Sequence, residues 1–132
     1  MKEQRYALVA SVSAAGTPEA VVVGVAVTDA FEIVFDKLKT TRKAKTLRTN
    51  PAVAFVIGGS IPGDERTVHY EGDASFPEGA QLARIQAAYF AAFPSGRSRS
   101  SSPGIAYVRV MPRWLRSSDY NSTPAASVEI TF

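Results

Sequence analysis

The stretch Y-A-L-V-A-S-V-S-A-A-G-T-P-E-A-V-V-V-G-V-A-V-T-D-A-F-E-I-V-F-D, Tyr6 to Asp36, decides the fold class. It holds three β-rich runs separated by turn residues. Tyr6 to Ser13 reads as a strand, and Ala14-Ala15-Gly16-Thr17-Pro18 as a turn punctuated by glycine and proline. Glu19 to Thr28 carries Val21, Val22, Val23, Val25 and Val27, too β-branched to favour a helix and too continuous for a half-exposed strand. A strand buried on both faces is expected there, with Gly24 permitting a bend or a close approach by another group. Asp29-Ala30 turns the chain into a third strand, Phe31 to Asp36, in which Phe31, Ile33 and Phe35 alternate with Glu32 and Val34. Three strands joined by short turns make a meander.

Downstream, the period changes once and then returns. Thr40 or Thr41 caps a helix running to about Thr49, with Ala44 and Leu47 on its packing face, and Asn50-Pro51 stops it. Ala52 to Ile57 is a continuous apolar strand. Arg66 to Phe76 alternates as a strand, and Gly72 marks a bulge. Leu82, Ile85, Tyr89 and Phe93 recur at three- and four-residue steps, so Glu78 to Phe93 is a helix. Ser95 to Gly104 is serine-rich and reads as a mobile loop, in which Arg97 and Arg99 are candidates to lie over a ligand pocket as a lid. Ile105 to Met111 resumes the sheet, Pro112 interrupts it, and Arg113 to Tyr120 leads into a polar tail ending V-E-I-T-F. Six or seven strands with two helices, strands adjoining strands without crossover helices, predict a mainly antiparallel β-barrel.

The 132 residues suit a single domain spanning 1–132. Cysteine is absent and His69 is the one histidine, which excludes disulfides, thiolate metal sites, a cysteine nucleophile and a His-rich metal centre. No apolar run approaches the roughly 20 residues of a membrane-spanning helix, and no signal peptide is visible, so a soluble cytoplasmic protein without membrane contact is expected. The net charge is +3. Its distribution says more: no acidic residue lies between Asp36 and Asp64, while Lys37, Lys39, Arg42, Lys43, Lys45 and Arg48 all do. The cations gather at one helix and not along a strand face, which argues against a nucleic-acid partner.

The strand-to-helix passage Phe35-Asp36-Lys37-Leu38-Lys39-Thr40-Thr41-Arg42-Lys43-Ala44 carries the strongest site signal. A helix start presents unpaired N–H groups and a partial positive charge, threonines add donors, and Arg42 and Lys43 add fixed charge. Basic residues at the end where the helix dipole favours acids point to an anion, such as a phosphate, held there.

The run Thr41-Arg42-Lys43-Ala44, then Leu47 and Asn50-Pro51-Ala52-Val53, resembles the [ST]-R-K-A…N-P-x-V pattern of the pyridoxamine 5'-phosphate oxidase-like, FMN-binding split-barrel family. Arg66-Thr67-Val68 followed by Glu71-Gly72, and the late segment R-V-M-P-R-W-L-R-S-S-D-Y, extend the resemblance over most of the chain. It implies a six-stranded antiparallel split β-barrel with flanking helices, forming a homodimer with FMN at the subunit interface, and an oxidoreductase acting on a small-molecule substrate. It also implies that Arg42 and Lys43 hold the FMN phosphate with Thr40 or Thr41, that Phe35, Asp36 and Lys37 run along the cofactor, and that Thr67 sits near the ring. Trp114 either packs in the core or lies over the cofactor from the partner. The oxidases themselves carry an Arg and a Lys on the second strand, where this chain has E-A-V-V-V-G-V-A-V, so the resemblance reaches the flavin and not the vitamin substrate. A deazaflavin, heme or other tetrapyrrole in place of FMN, and a non-catalytic flavin sensor, are the alternatives. No catalytic residue is assigned: His69 is a lone strand histidine, and Asp36 and Asp73 do not have the spacing of a carboxylate pair.

Overall fold

In the computed structural model, which describes residues 5–59, 61–99 and 104–132, with backbone alone at 97–99, the first hairpin of the expected meander is present, but the third strand pairs with the second only at Ala26–Val27 and otherwise with Ile105–Asp119. In chain order the elements are β1 (Tyr6–Val12), β2 (Pro18–Gly24), β3 (Ala26–Val27), β4 (Ile33–Leu38), α1 (Arg42–Thr49), β5 (Ala52–Gly58), β6 (Arg66–Ser75), α2 (Gly79–Ala92), a short 3-10 helix (Pro94–Arg99), β7 (Ile105–Asp119) and β8 (Ala126–Thr131). The strands form one curled antiparallel sheet in the order β2-β1-β5-β6-β7-β4-β3, with β8 added to β7. The fold is a mainly β split barrel with two α-helices.

The strand count exceeds the expected six for two reasons. The single strand expected over Glu19 to Thr28 divides at Val25, whose N–H turns to the Arg5 carbonyl at 2.8 Å. The expected polar tail is instead a strand: β8 pairs with β7 from Trp114↔Thr131 to Asp119↔Ala126. Pro112 does not interrupt β7. The register steps from Glu71↔Trp114 to Gly72↔Pro112, so Arg113 is the extra residue of a bulge and the strand runs on through the proline.

Two-sided burial falls on a different strand from the one expected. β2 is an edge strand with only β1 beside it, and Val21 and Val22 are exposed. β5 alternates, Val53, Phe55 and Ile57 inward and Val56 outward. It is β4 that is enclosed: Ile33, Val34 and Phe35 are all fully buried. Phe35 belongs to the barrel interior with Phe55 and Tyr70, an edge-to-face series at 6.1 and 5.8 Å, while Val34 belongs to a second cluster beneath α2 with Ala26, Ile85, Tyr89, Phe90 and Tyr107. Each such fully buried side chain contributes roughly 1.5 to 3 kcal/mol.

The start of β4 also departs from simple alternation. Phe31 has a φ of 61° and belongs to the turn, where its N–H bonds the Thr28 carbonyl. The buried Tyr70 hydroxyl donates to the Phe31 carbonyl at 2.7 Å, and burial raises its pKa, which keeps that proton in place. Glu32 is buried and takes a two-pronged contact from Arg84 of α2 at 2.8 and 3.0 Å, pinning helix to sheet. Gly24 serves close approach: a Cβ there would meet the Phe93 ring at 2.9 Å. The serine-rich run expected as a loop begins as the 3-10 helix, with Gly96 buried against Tyr89. Residues 100–103 and the Arg97 and Arg99 side chains lie outside the described residues.

Gly72 is the position least able to accept a side chain, because a Cβ would overlap the Met111 carbonyl oxygen across the bulge. Gly72→Ala should therefore cost about 1 to 3 kcal/mol by overpacking, read as a lower urea midpoint. An unchanged midpoint would show that β6 and β7 separate there at no cost.

Candidate functional site

Helix α1 begins where β4 ends, and its cap sets the geometry of the site. The Thr41 hydroxyl donates to the Leu38 carbonyl at 2.8 Å and accepts from the Ala44 N–H at 3.3 Å, tying the strand end to the first helical turn. Thr41, and not Thr40, is the cap. Ala44 and Leu47 then anchor the helix in the barrel core, as their spacing predicts. A cleft of about 330 Å³ opens beside this turn, lined by Pro18, Glu19, Ala20, Val21, Lys37, Thr41, Arg42 and Lys43.

The two basic residues at the helix start play different parts. Arg42 is largely exposed, with its Nε 2.7 Å from Glu19 Oε1. Lys43 is buried; its Nζ donates to Ser11 Oγ at 2.5 Å and lies 4.0 Å from Glu19 Oε2. Burial is the main influence holding the Lys43 pKa below the usual lysine value; Lys37 and Arg42 add to it, and Glu19 opposes it. The Thr46 hydroxyl donates to Glu19 at 3.0 Å from the next turn. One carboxylate thus collects Arg42, Lys43 and Thr46, and the donors of the helix start converge on an anion.

Glu19, Ser11 and Thr46 are absent from the sequence-derived site. Glu19 did leave a signal, as the one charged residue in the apolar run Pro18 to Val27. Ser11 and Thr46 left none, since only the pairing of β1 with β2 and the docking of α1 bring them to Lys43 and Glu19.

The remaining candidates divide. Lys37, Thr41, Arg42 and Lys43 share the cleft, and Thr40 is not among its lining residues. Phe35 points into the barrel core, and the Asp36 carboxylate accepts from the Tyr89 hydroxyl at 3.1 Å, so these two offer a ligand their backbone. Thr67 lies on β6 and Trp114 on β7, across the sheet from β2. Trp114 is not a core residue: it stands on the outer face, edge-on to His69 at 4.9 Å, with the Arg116 guanidinium 5.2 Å from its ring centre. His69 itself faces Glu71 at 3.6 Å. Asp73 pairs with Arg113 at 2.9 Å, while the Asp36 carboxylate meets Tyr89. Among the described residues, no group of three or more His, Cys, Asp or Glu could hold a metal ion, and no helix is long and apolar enough to cross a membrane.

Residues 1–119 match the family model for pyridoxamine 5'-phosphate oxidase. No curated protein matches the sequence. Among solved structures, a heme binding protein from Mycobacterium smegmatis superposes with a TM-score of 0.83 at 19% identity, covering 97% of this chain and 53% of that one. The chain thus spans about half the length of that protein. HutZ, the heme storage protein from Vibrio cholerae, gives 0.74 at 17% identity, covering 83% and 82% of the two chains. A pyridoxamine 5'-phosphate oxidase-related, FMN binding protein from Nostoc punctiforme gives 0.69 at 16% identity, covering 97% and 86%. At these identities the likeness is one of fold.

The buried Lys43 ammonium depends on Ser11 for its shortest contact. Ser11→Ala should destabilise the protein by about 1 to 3 kcal/mol, because a buried donor loses its acceptor. Urea unfolding of the variant checks this, and a midpoint equal to wild type would show that Glu19 alone satisfies the ammonium.

Proposed function

The chain belongs to the pyridoxamine 5'-phosphate oxidase family, and from that premise we propose that it is an FMN-binding flavoprotein, an oxidoreductase acting on a small-molecule substrate. The observation that carries the reading is the donor set at the α1 start: Lys37, Thr41, Arg42 and Lys43 line the cleft, and Arg42, Lys43 and Thr46 already hold an anionic oxygen pair. The carboxylate of Glu19 stands in for the kind of group these donors accept, so the residues fit a phosphate. Lys37 and the exposed side of Arg42 would hold it from the cleft, Thr41 would order the helix turn beneath it, and the backbone of Phe35 and Asp36 would run along the ring. When bound, the flavin supplies the hydride chemistry, and the protein supplies binding and orientation.

The same reading makes the protein a homodimer. Two observations support it. Thr67 and Trp114 are not among the residues that line the cleft, so a cofactor placed against both sets, as the resemblance implies, is accounted for by a second copy that supplies them. The outer face of the sheet also presents an apolar row, Val22, Leu8 and Val56 directly opposite one another on β2, β1 and β5, with Tyr6 and Val12 beside it, all exposed. An isologous contact would cover this face on both copies at once.

A second reading, a heme- or tetrapyrrole-binding member, rests on His69. This imidazole is about half exposed on the outer face, one strand over from Val56 and beside Trp114 and Arg116; it would hold the iron of a tetrapyrrole, with Val56 offering apolar surface and Arg116 a cation for a carboxylate. Absorbance of the purified protein separates flavin, deazaflavin and heme, and reduction by a nicotinamide cofactor separates a catalyst from a binder.

Replacing the two cations that face the cleft, Lys37→Ala with Arg42→Ala, should weaken FMN at least tenfold, about 1.4 kcal/mol and less than one charge-assisted contact is worth. Equal FMN affinity in the folded variant, measured by flavin fluorescence, would remove the phosphate from this cleft. For assembly, sedimentation should give about 28 kDa, twice the 14.1 kDa chain, and Leu8→Lys with Val22→Lys should return the monomer mass. A wild-type monomer at micromolar concentration would remove the interfacial site.

A further inference from the structure

We propose that Glu19 is the resident anion of the Arg42–Lys43 site and sets its selectivity, weakening its hold on a phosphate dianion in favour of ligands carrying less negative charge. The inference rests on the reading that this cleft takes the phosphate of a flavin nucleotide. Glu19 lies on an edge strand among exposed valines, yet its side chain is only 9% exposed. Arg42 Nε approaches one carboxylate oxygen at 2.7 Å, the Thr46 hydroxyl the other at 3.0 Å, and Lys43 Nζ lies 4.0 Å away. A buried carboxylate with this many donors is not readily displaced, because leaving would take the countercharge from the buried Lys43 ammonium, with Ser11 alone beside it. An incoming phosphate therefore sits beside Glu19 and does not replace it. It finds Lys37 and the outward side of Arg42, which is 74% exposed, together with a fixed negative charge a few ångströms away. Three cations against one resident carboxylate leave a site that attracts anions and discriminates among them by charge.

The alternative is that Glu19 merely pins α1 to β2 and has no influence on the ligand. Glu19→Gln separates the two, since it keeps the shape and an acceptor for Thr46 while removing the charge. Binding of FMN and of riboflavin, which differ only in the phosphate, is measured by fluorescence for wild type and variant, with thermal stabilisation by inorganic phosphate as a flavin-free arm. The expected result is at least tenfold tighter FMN in the variant, riboflavin within twofold of wild type, and a larger stabilisation by phosphate. Unchanged or weaker FMN with unchanged riboflavin overturns the proposal. If neither protein binds either flavin, the flavin reading fails by itself and the phosphate arm decides: a larger response in the variant supports the role of Glu19, and an equal response overturns it. Glu19→Thr, which suits an edge strand and keeps a hydroxyl, supplies the same comparison if the glutamine variant does not fold.

Discussion

Strand β4 is closed in on both sides, Ile33 and Phe35 by the barrel interior and Val34 by α2, and the positions of the other parts follow from that enclosure. A strand with both faces buried has no freedom to slip by a residue, since a slip would drive Glu32 into the barrel and Phe35 out of it. Its pairing with β7, from Ile33↔Val110 to Leu38↔Ile105, is locked in the same way. The strand therefore ends at a defined point, and Thr41 converts that end into a helix start through its bonds to Leu38 and Ala44. The cations of α1 are held in place by core packing several residues upstream.

Held there, the cations need an answer to their own charge. Lys43 is buried, and α1 carries no acidic residue in its first turn to neutralise it. The answer comes from the opposite edge of the sheet, where β2 brings Glu19 and β1 brings Ser11. Electrostatics thus joins the edge strand to the helix that the central strand positions. The cleft between them has cations facing outward and a carboxylate at its base, a combination suited to binding an anion reversibly.

The outer face of the sheet follows a different logic. One cross-strand row runs Val22, Leu8, Val56, His69, Arg116, Glu129, changing from apolar to charged as it crosses from β2 to β8. The apolar half is the part that a second copy would cover, and the polar half carries Trp114 and the one histidine. The two halves meet between β5 and β6, so a residue such as Trp114 stands at the margin of that apolar surface and not in the interior of its own chain.

Local signals sufficed for the first hairpin, the Thr41-capped helix, the Leu82 to Phe93 helix face and the bulge at Gly72, because each leaves a mark in residues adjacent in sequence or in a period of two or about 3.6. The basic passage from Lys37 to Lys43 was legible for the same reason: its anion-binding character comes from one strand end and one helix turn. Which strand is buried on both faces was not legible, since Glu19 to Thr28 and Phe31 to Asp36 both carry apolar runs and only their places in the sheet, edge and interior, separate them. The final strand was hidden as well, because every residue of β8 is exposed and no buried face imprints an alternation on it. Glu19, Ser11 and Lys43 meet only when an edge strand, its neighbour and a helix dock together, with 32 residues separating Ser11 from Lys43. The sequence determined the elements and the charge of the site through short-range periodicity and capping; the tertiary structure alone decided which faces are covered and which carboxylate answers the cations, because burial and buried ion pairing are properties of neighbours distant in the chain.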